Sequence, residues 1–193
     1  MARYRGPRVK ILKRLGQLDG LKKHNAQVCS VKEGSKPKMG SYKLRLLEKQ
    51  KLRYNYGISE RQLLRYVKNA RKMSGSVGIN LMISLEMRLD TIVFRLGWGN
   101  SIAEARQLVN HGHIYVNSQN VNIPSFQCKV DDSITLSEKI FHVKKNVFVS
   151  IIVPKYLNLH KDKKSGKILG VIEKPDFSIN IDELLIVEYY SRR

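Results

Sequence analysis

Several groups in this 193-residue chain could carry chemistry, and most of them dissolve on inspection. The adjacent carboxylates Asp131 and Asp132 would suit acid–base or metal chemistry. They precede the alternating run at residues 133–136, however, and Asp at a strand entrance reads as turn formation. Cys29 and Cys128, with His24 the nearest other ligand type to Cys29, are too few for a four-ligand zinc site or a disulfide framework. No structural metal and no cofactor are expected, and a reducing compartment fits. Ser74-Gly75-Ser76-Val77-Gly78 has the glycines of a phosphate loop, but no strand precedes it and no Lys-Ser/Thr follows, so it reads as a hinge. Cations remain: 36 Lys and Arg against 16 Asp and Glu, net +20. A surplus of this size suits a phosphate polymer and serves no self-contained enzyme.

The charge is unevenly placed. Residues 1–80 hold 21 basic and 4 acidic side chains (net +17), residues 81–136 hold 4 and 5 (net −1), and residues 137–193 hold 11 and 7 (net +4). Counterion release should therefore come mainly from the first eighty residues, and loss of residues 1–40 should lower the salt dependence of binding. No run approaches the roughly 18 apolar residues of a membrane span, and no apolar signal follows Met1.

Elements that would position these cations follow from periodicity. Pro7 opens a short helix that Gly16 ends, with Ile11, Leu12 and Leu15 beside Lys10, Lys13 and Arg14. Its bland reading is a frayed basic terminus; its functional reading is an arm that folds against phosphates, with Tyr4 stacking on a base. Residues 17–40 read as an irregular basic connector. Ser41 caps a helix to Tyr56, with Leu44, Leu47 and Tyr54 on the buried side. Ser59 with Gln62 forms a capping box for the next, in which Leu63, Leu64, Val67 and Ala70 face inward. Basic helix faces are usually solvated ones, but here the i,i+4 acids that would support them are missing.

Residues 85–125 read as two amphipathic helices and a hairpin. Leu85, Leu89, Ile92, Val93 and Leu96 form one stripe, with Arg88, Thr91 and Arg95 on a polar face. Ser101 and Glu104 make a capping box, Ile102, Ala105, Leu108 and Val109 face a core, and Arg106 and Asn110 face solvent. Gly112 stops that helix. Ile114 and Val116 then share a side with Val121 and Ile123, opposite His113, Tyr115 and Asn117. Residues 138–153 look strand-like, and a hairpin from Tyr156 to Gly170 turns at Lys164-Ser165-Gly166. A terminal helix covers residues 182–192.

The spacing Leu85-Glu86-x-Arg88-Leu89, then Val93-Phe94-Arg95, then Ser101 with Ala105-Arg106-x-Leu108-Val109, and finally HGHIYVN with IPS resembles the RNA-binding module of the small-subunit ribosomal protein number four family. MARYRGPRVKILKRLG and KLRLLEKQKLRYNYGISERQLLRYV resemble that family's opening and helical domain, most closely its plastid members. The resemblance implies an α+β fold. A basic arm and connector (1–40) precede a helical domain (41–84, completed by 178–193) that carries an inserted RNA-binding domain (85–177, core module 85–136). It departs from the family at residues 138–153, where relatives have a lysine-rich helix. Tyr156 stands for the usual tryptophan and could still offer an aromatic face. Ser118 stands for the usual glycine, so the hairpin turn is expected to differ.

The resemblance also implies a structural, non-enzymatic component of the small ribosomal subunit that binds rRNA directly, nucleates the subunit body and contributes to translational accuracy. Implied partners are small-subunit rRNA and neighbouring small-subunit proteins, number five foremost, near the channel by which mRNA enters, with no membrane and no small-molecule substrate. Localisation would be the chloroplast stroma, or alternatively a bacterial cytoplasm. Candidate RNA contacts are Arg3, Arg5, Arg8, Lys10, Lys13 and Arg14 on the arm; Lys43, Arg45, Lys49, Arg53, Arg61 and Arg65 on the helical domain; and Arg88, Arg106, His111, His113 and Asn117 on the module, with Lys144 and Lys145 weaker candidates. Two readings stay open for some of these. Arg88 and Arg95 could be internal partners of Glu86 or Asp90, and His111 could be a helix cap. The rival functions are an RNA-modifying or tRNA-charging enzyme, which lacks residues for a second catalytic fold here, and a free RNA-binding quality-control factor.

Overall fold

A computed structural model describes residues 4, 6–16, 18–21, 40–144, 153–170 and 181–191, with side chains 142–144 left aside. In chain order the elements are α1 (Arg8–Leu15), α2 (Ser41–Asn55), α3 (Glu60–Ala70), α4 (Val77–Glu86), α5 (Leu89–Arg95), α6 (Ile102–Asn110), β1 (Ile114–Val116), β2 (Gln119–Asn120), β3 (Ser133–Leu136), α7 (Glu138–Lys144), β4 (Leu157–Leu159), β5 (Ser165–Ile168) and α8 (Glu183–Ser191). The fold is α+β, in two compact units: Met1–Met82 with Ser178–Arg193, and Ile83–Phe177.

In the first unit α1 starts at Pro7 and stops at Gly16, whose φ of +86° suits glycine. It is not a loose arm in this structure: Ile11, Leu15 and Leu18 are buried together against Leu47 and Tyr54. The opposite side of α2 departs from its apolar pattern. Leu44 is exposed, and the helix buries Arg45, Glu48, Lys49, Leu52 and Asn55. The cause is α8, which packs on α2 and α3 and brings its own polar groups. Arg45 pairs with Glu188, and Lys49 Nζ lies 3.4 Å from the Tyr189 hydroxyl and 3.1 Å from Glu60. The Ser59–Gln62 capping box forms as its spacing predicts, but Leu64 is exposed rather than inward.

Burial alone would raise the Glu60 pKa. Hydrogen bonds from Tyr190 and Lys49, with the charges of Lys49 and Arg53, outweigh it and hold the carboxyl below its ordinary 4.5. A depressed carboxylate stabilises the fold above its unfolded pKa and loses that contribution as pH falls through the folded value. Glu60→Gln should therefore lower stability near pH 6, with the two proteins converging as pH drops below about 4.5 in chemical denaturation series.

In the second unit the stripe predicted as one helix from Leu85 is broken. Arg88 is extended (φ −73°, ψ 140°) and bridges Gln127. The Leu89 amide donates to the Phe126 carbonyl, and the Cys128 amide to that of Met87 (both 2.9 Å). Residues 126–128 thus satisfy backbone groups that a continuous helix would have paired itself. The apolar stripe is nonetheless buried, with Leu89, Ile92, Val93, Ile102, Ala105, Val109, Ile114 and Ile134 among its core.

Five antiparallel strands run in the order β2-β1-β3-β5-β4. Ile114 and Val116 face the core, but Ile123 is exposed, because the strand partner of β1 ends at Asn120. The β1–β2 turn keeps the geometry a glycine would favour: Asn117 and Ser118 have φ of +49° and +68°. A mirror-type turn matches strand twist and requires positive φ at both positions. Ser118→Gly should therefore stabilise the protein by up to about 1 kcal/mol, read from the denaturation midpoint, since a side chain costs about that in this region.

Two further expectations are corrected, and a third is met. Residues 138–144 form α7 rather than a strand, and residues 145–152, Lys145 among them, lie outside the described residues. The second hairpin turns at residues 160–164, so Ser165 and Gly166 belong to β5. Gly166 is there for a close approach: a Cβ would stand 2.7 Å from Leu96 Cδ2. Asp131 and Asp132 do make a turn. The Asp131 φ is +71°, and Asp132 accepts from the Lys129 amide at 2.7 Å and the Asn117 side chain at 2.8 Å.

Candidate nucleic-acid interface

Among the predicted cations, those on α1 and α3 are where a polyanion could reach them. Arg8, Lys10, Lys13 and Arg14 are exposed while Ile11 and Leu15 hold the helix down. Arg61 and Arg65 are exposed one turn apart on α3, continued by Lys68, Arg71 and Lys72, and Lys43 is exposed at the start of α2. None of these has an ion-pair partner among the described residues. The exposed Tyr4 ring meets Tyr54 edge-on at 5.2 Å. Arg3 and Arg5 lie outside the described residues.

Other candidates are structural. Arg45 and Lys49 are each 4% exposed and already paired with α8 and Glu60. Arg53 is half-buried, its guanidinium 4.6 Å from the Tyr54 ring centre and 3.9 Å from Glu60. Arg88 and Arg106 are corrected most firmly. Both donate to Asp90, which is fully buried: Arg88 Nε at 3.0 Å and Nη2 at 2.7 Å, Arg106 Nε at 2.9 Å and Nη2 at 2.6 Å. Arg95 pairs with buried Glu86 through two bonds, and the Tyr156 hydroxyl donates to the same carboxylate at 3.1 Å. Burial, then the Glu86 charge, raises the Tyr156 pKa well above the phenol range. That ring is 4% exposed and offers no aromatic face. Inside a protein such pairs persist only when fully bonded, so these side chains serve the module's core.

Three polar candidates remain on the module. His111 is the C-cap residue of α6 by its backbone and yet has an exposed ring, 5.9 Å from the half-buried ring of His113. Asn117 is exposed, but its amide donates to Asp132 and accepts from the Ser133 N–H, so it chiefly fixes the turn. Burial, aided by the Asp132 and Asp90 charges, pushes the Cys128 thiol up to about 12, which keeps it protonated and unlike a metal ligand. No cluster of three metal-ligating side chains exists among the described residues, and His24 and Cys29 lie outside them.

Residues 3–86 match the ribosomal protein S4/S9 N-terminal domain family, and residues 87–134 match the S4 domain family. The chain is 48% identical over 202 residues to small ribosomal subunit protein uS4 of Thermosynechococcus vestitus, covering all of both chains. It is equally similar to uS4c of Nephroselmis olivacea (99% of this chain, 98% of that one) and of Chlorella vulgaris (all of both).

The chain belongs to the uS4 family. It is a structural, non-enzymatic component of the small ribosomal subunit that binds rRNA and ribosomal proteins. The S4 domain begins at Met87, at the break between α4 and α5, so the domain boundary falls where the chain switches from helix to the Arg88–Gln127 bridge. Within residues 81–136 three of the four basic side chains turn inward, which leaves Lys129 exposed. Of the cations that sequence reasoning passed over, the exposed Lys161 and Lys163 stand out. Four lysines in seven residues were a visible signal, but the pairing of the following strand β5 with β3 was not.

Proposed function

We propose that this uS4 protein is a primary rRNA-binding protein that nucleates the body of the small subunit and, once assembled, contributes to translational accuracy. Its helical unit grips phosphates through Arg8, Lys10, Lys13, Arg14, Lys43, Arg61 and Arg65, with Arg3 and Arg5, outside the described residues, as further candidates from the sequence. Its S4 domain docks by shape, with His111, His113 and Asn117 near the RNA. Gripping separate RNA helices selects the folded junction over its alternatives, and differential affinity sets the size of that shift. The supporting observation is that the cations of α1 and α3 are exposed with no ion-pair partner among the described residues, whereas Arg88, Arg95 and Arg106 of the S4 domain are buried. Ribosomal protein number five is the neighbour we propose, near the channel by which mRNA enters. The compartment we propose is the plastid stroma, in line with the uS4c names of its algal relatives; the equal identity to a cyanobacterial uS4 supports a bacterial cytoplasm as the alternative.

A footprint of the purified protein on protein-free small-subunit rRNA tests the reading. Protection at a helical junction is expected, together with co-sedimentation with small subunits in high salt. Release from subunits in high salt, without a footprint, would favour a free quality-control factor instead.

A further inference from the structure

We propose that the turn between β4 and β5 is a separate phosphate-gripping point of the S4 unit, with Lys161 and Lys163 as its cations. The proposal rests on the rRNA-binding reading above and extends it to residues outside the matched S4 domain, which ends at residue 134. Pairing of β3 with β5 places this hairpin in the same sheet as the β1–β2 hairpin.

The turn is held in shape. Buried Trp98 donates its indole N–H to the Lys163 carbonyl at 2.8 Å, the Lys163 amide donates to His160 at 2.8 Å, and the His160 amide to Ser165 at 2.9 Å. Lys163 itself has φ +53°, and Gly166 lies against Leu96. An anion meeting this turn would find its backbone already ordered, so little entropy is lost on binding.

Charge separates its lysines into two kinds. Lys164 pairs with Glu138, and Lys167 with Asp131 at 2.8 Å. Lys161 and Lys163 are exposed with no ion-pair partner among the described residues, and exposed Asp162 is the one acid of the turn. Lysine ammonium groups bind phosphate as point charges. With Arg88, Arg95 and Arg106 committed inside, outward positive charge on this unit has to come from such positions.

The test uses the full chain and protein-free small-subunit rRNA, with affinity measured from 50 to 200 mM KCl. Lys161→Gln with Lys163→Gln should lower the slope of log affinity against log salt by about 1.4–1.8, at roughly 0.7–0.9 per phosphate. Asp162→Asn should tighten binding. Lys164→Gln with Lys167→Gln, which removes the same formal charge from paired positions, should leave the slope unchanged. If the unaltered chain binds but the Lys161/Lys163 variant keeps its slope, or both double variants lose slope equally, the turn is no contact and the wider reading stands. If the unaltered chain does not bind, the rRNA reading falls and takes the turn with it.

Discussion

Asp90→Ala will destabilise the protein by about 3–5 kcal/mol, the usual consequence of stripping one partner from a buried ion pair. Asp90 is 0% exposed and accepts four hydrogen bonds from Arg88 and Arg106, themselves 1% and 5% exposed. Its removal leaves two guanidinium groups in a low-dielectric interior facing each other without the carboxylate. Asp90→Asn keeps the shape and loses the charge, so it should be damaged almost as badly. Replacing all three groups with apolar side chains of similar volume should restore most of the loss, because no charge then remains to be solvated. Urea denaturation of the four proteins is the check. A loss below about 1 kcal/mol in Asp90→Ala, where surface pairs lie, would mean the triad is not buried as described. Arg88→Met and Arg106→Met, where they fold, should leave the salt slope of RNA binding intact.

Glutamine at Arg8, Lys10, Lys13, Arg14, Arg61 and Arg65 together should have the opposite signature. All six are exposed, so folding should be nearly unaffected, as circular dichroism would verify. If each neutralises one phosphate, the salt slope should fall by about 5, since each contact contributes roughly 0.9. Affinity near 50 mM salt should collapse by orders of magnitude. An unchanged slope would show that the α1 and α3 cations are merely solvated, the bland reading of any basic helix face.

Local rules carried much of the reading where the partner lies within a few residues, although Ser41 begins α2 behind Gly40 rather than capping it. Pro7 and Gly16 bound α1, Ser59 and Gln62 close their box, Gly112 stops α6, and Asp131-Asp132 turn the chain. They failed where the partner is remote. Arg45 meets Glu188 across 143 residues and Arg106 meets Asp90 across 16, so an i,i+4 search for acids returns none although both are paired. The break at Arg88 was hidden for the same reason: its apolar stripe is continuous, and only residues 126–128 show why the helix cannot be. Tyr156 reads as an exposed aromatic until Glu86 claims its hydroxyl. The candidate interface was therefore legible as a total charge and on helices whose outer cations have no ion-pair partner among the described residues. It was misread inside the S4 domain, where arginine is structural.

The most direct measurement is the affinity of the unaltered protein for protein-free small-subunit rRNA as a function of salt. Six to ten neutralised phosphates predict a slope of about −5 to −9 and a loss of about 10³ to 10⁵ in affinity between 50 and 200 mM salt. Failure to bind at 50 mM, or a slope shallower than about −2, would contradict an account built on phosphate neutralisation.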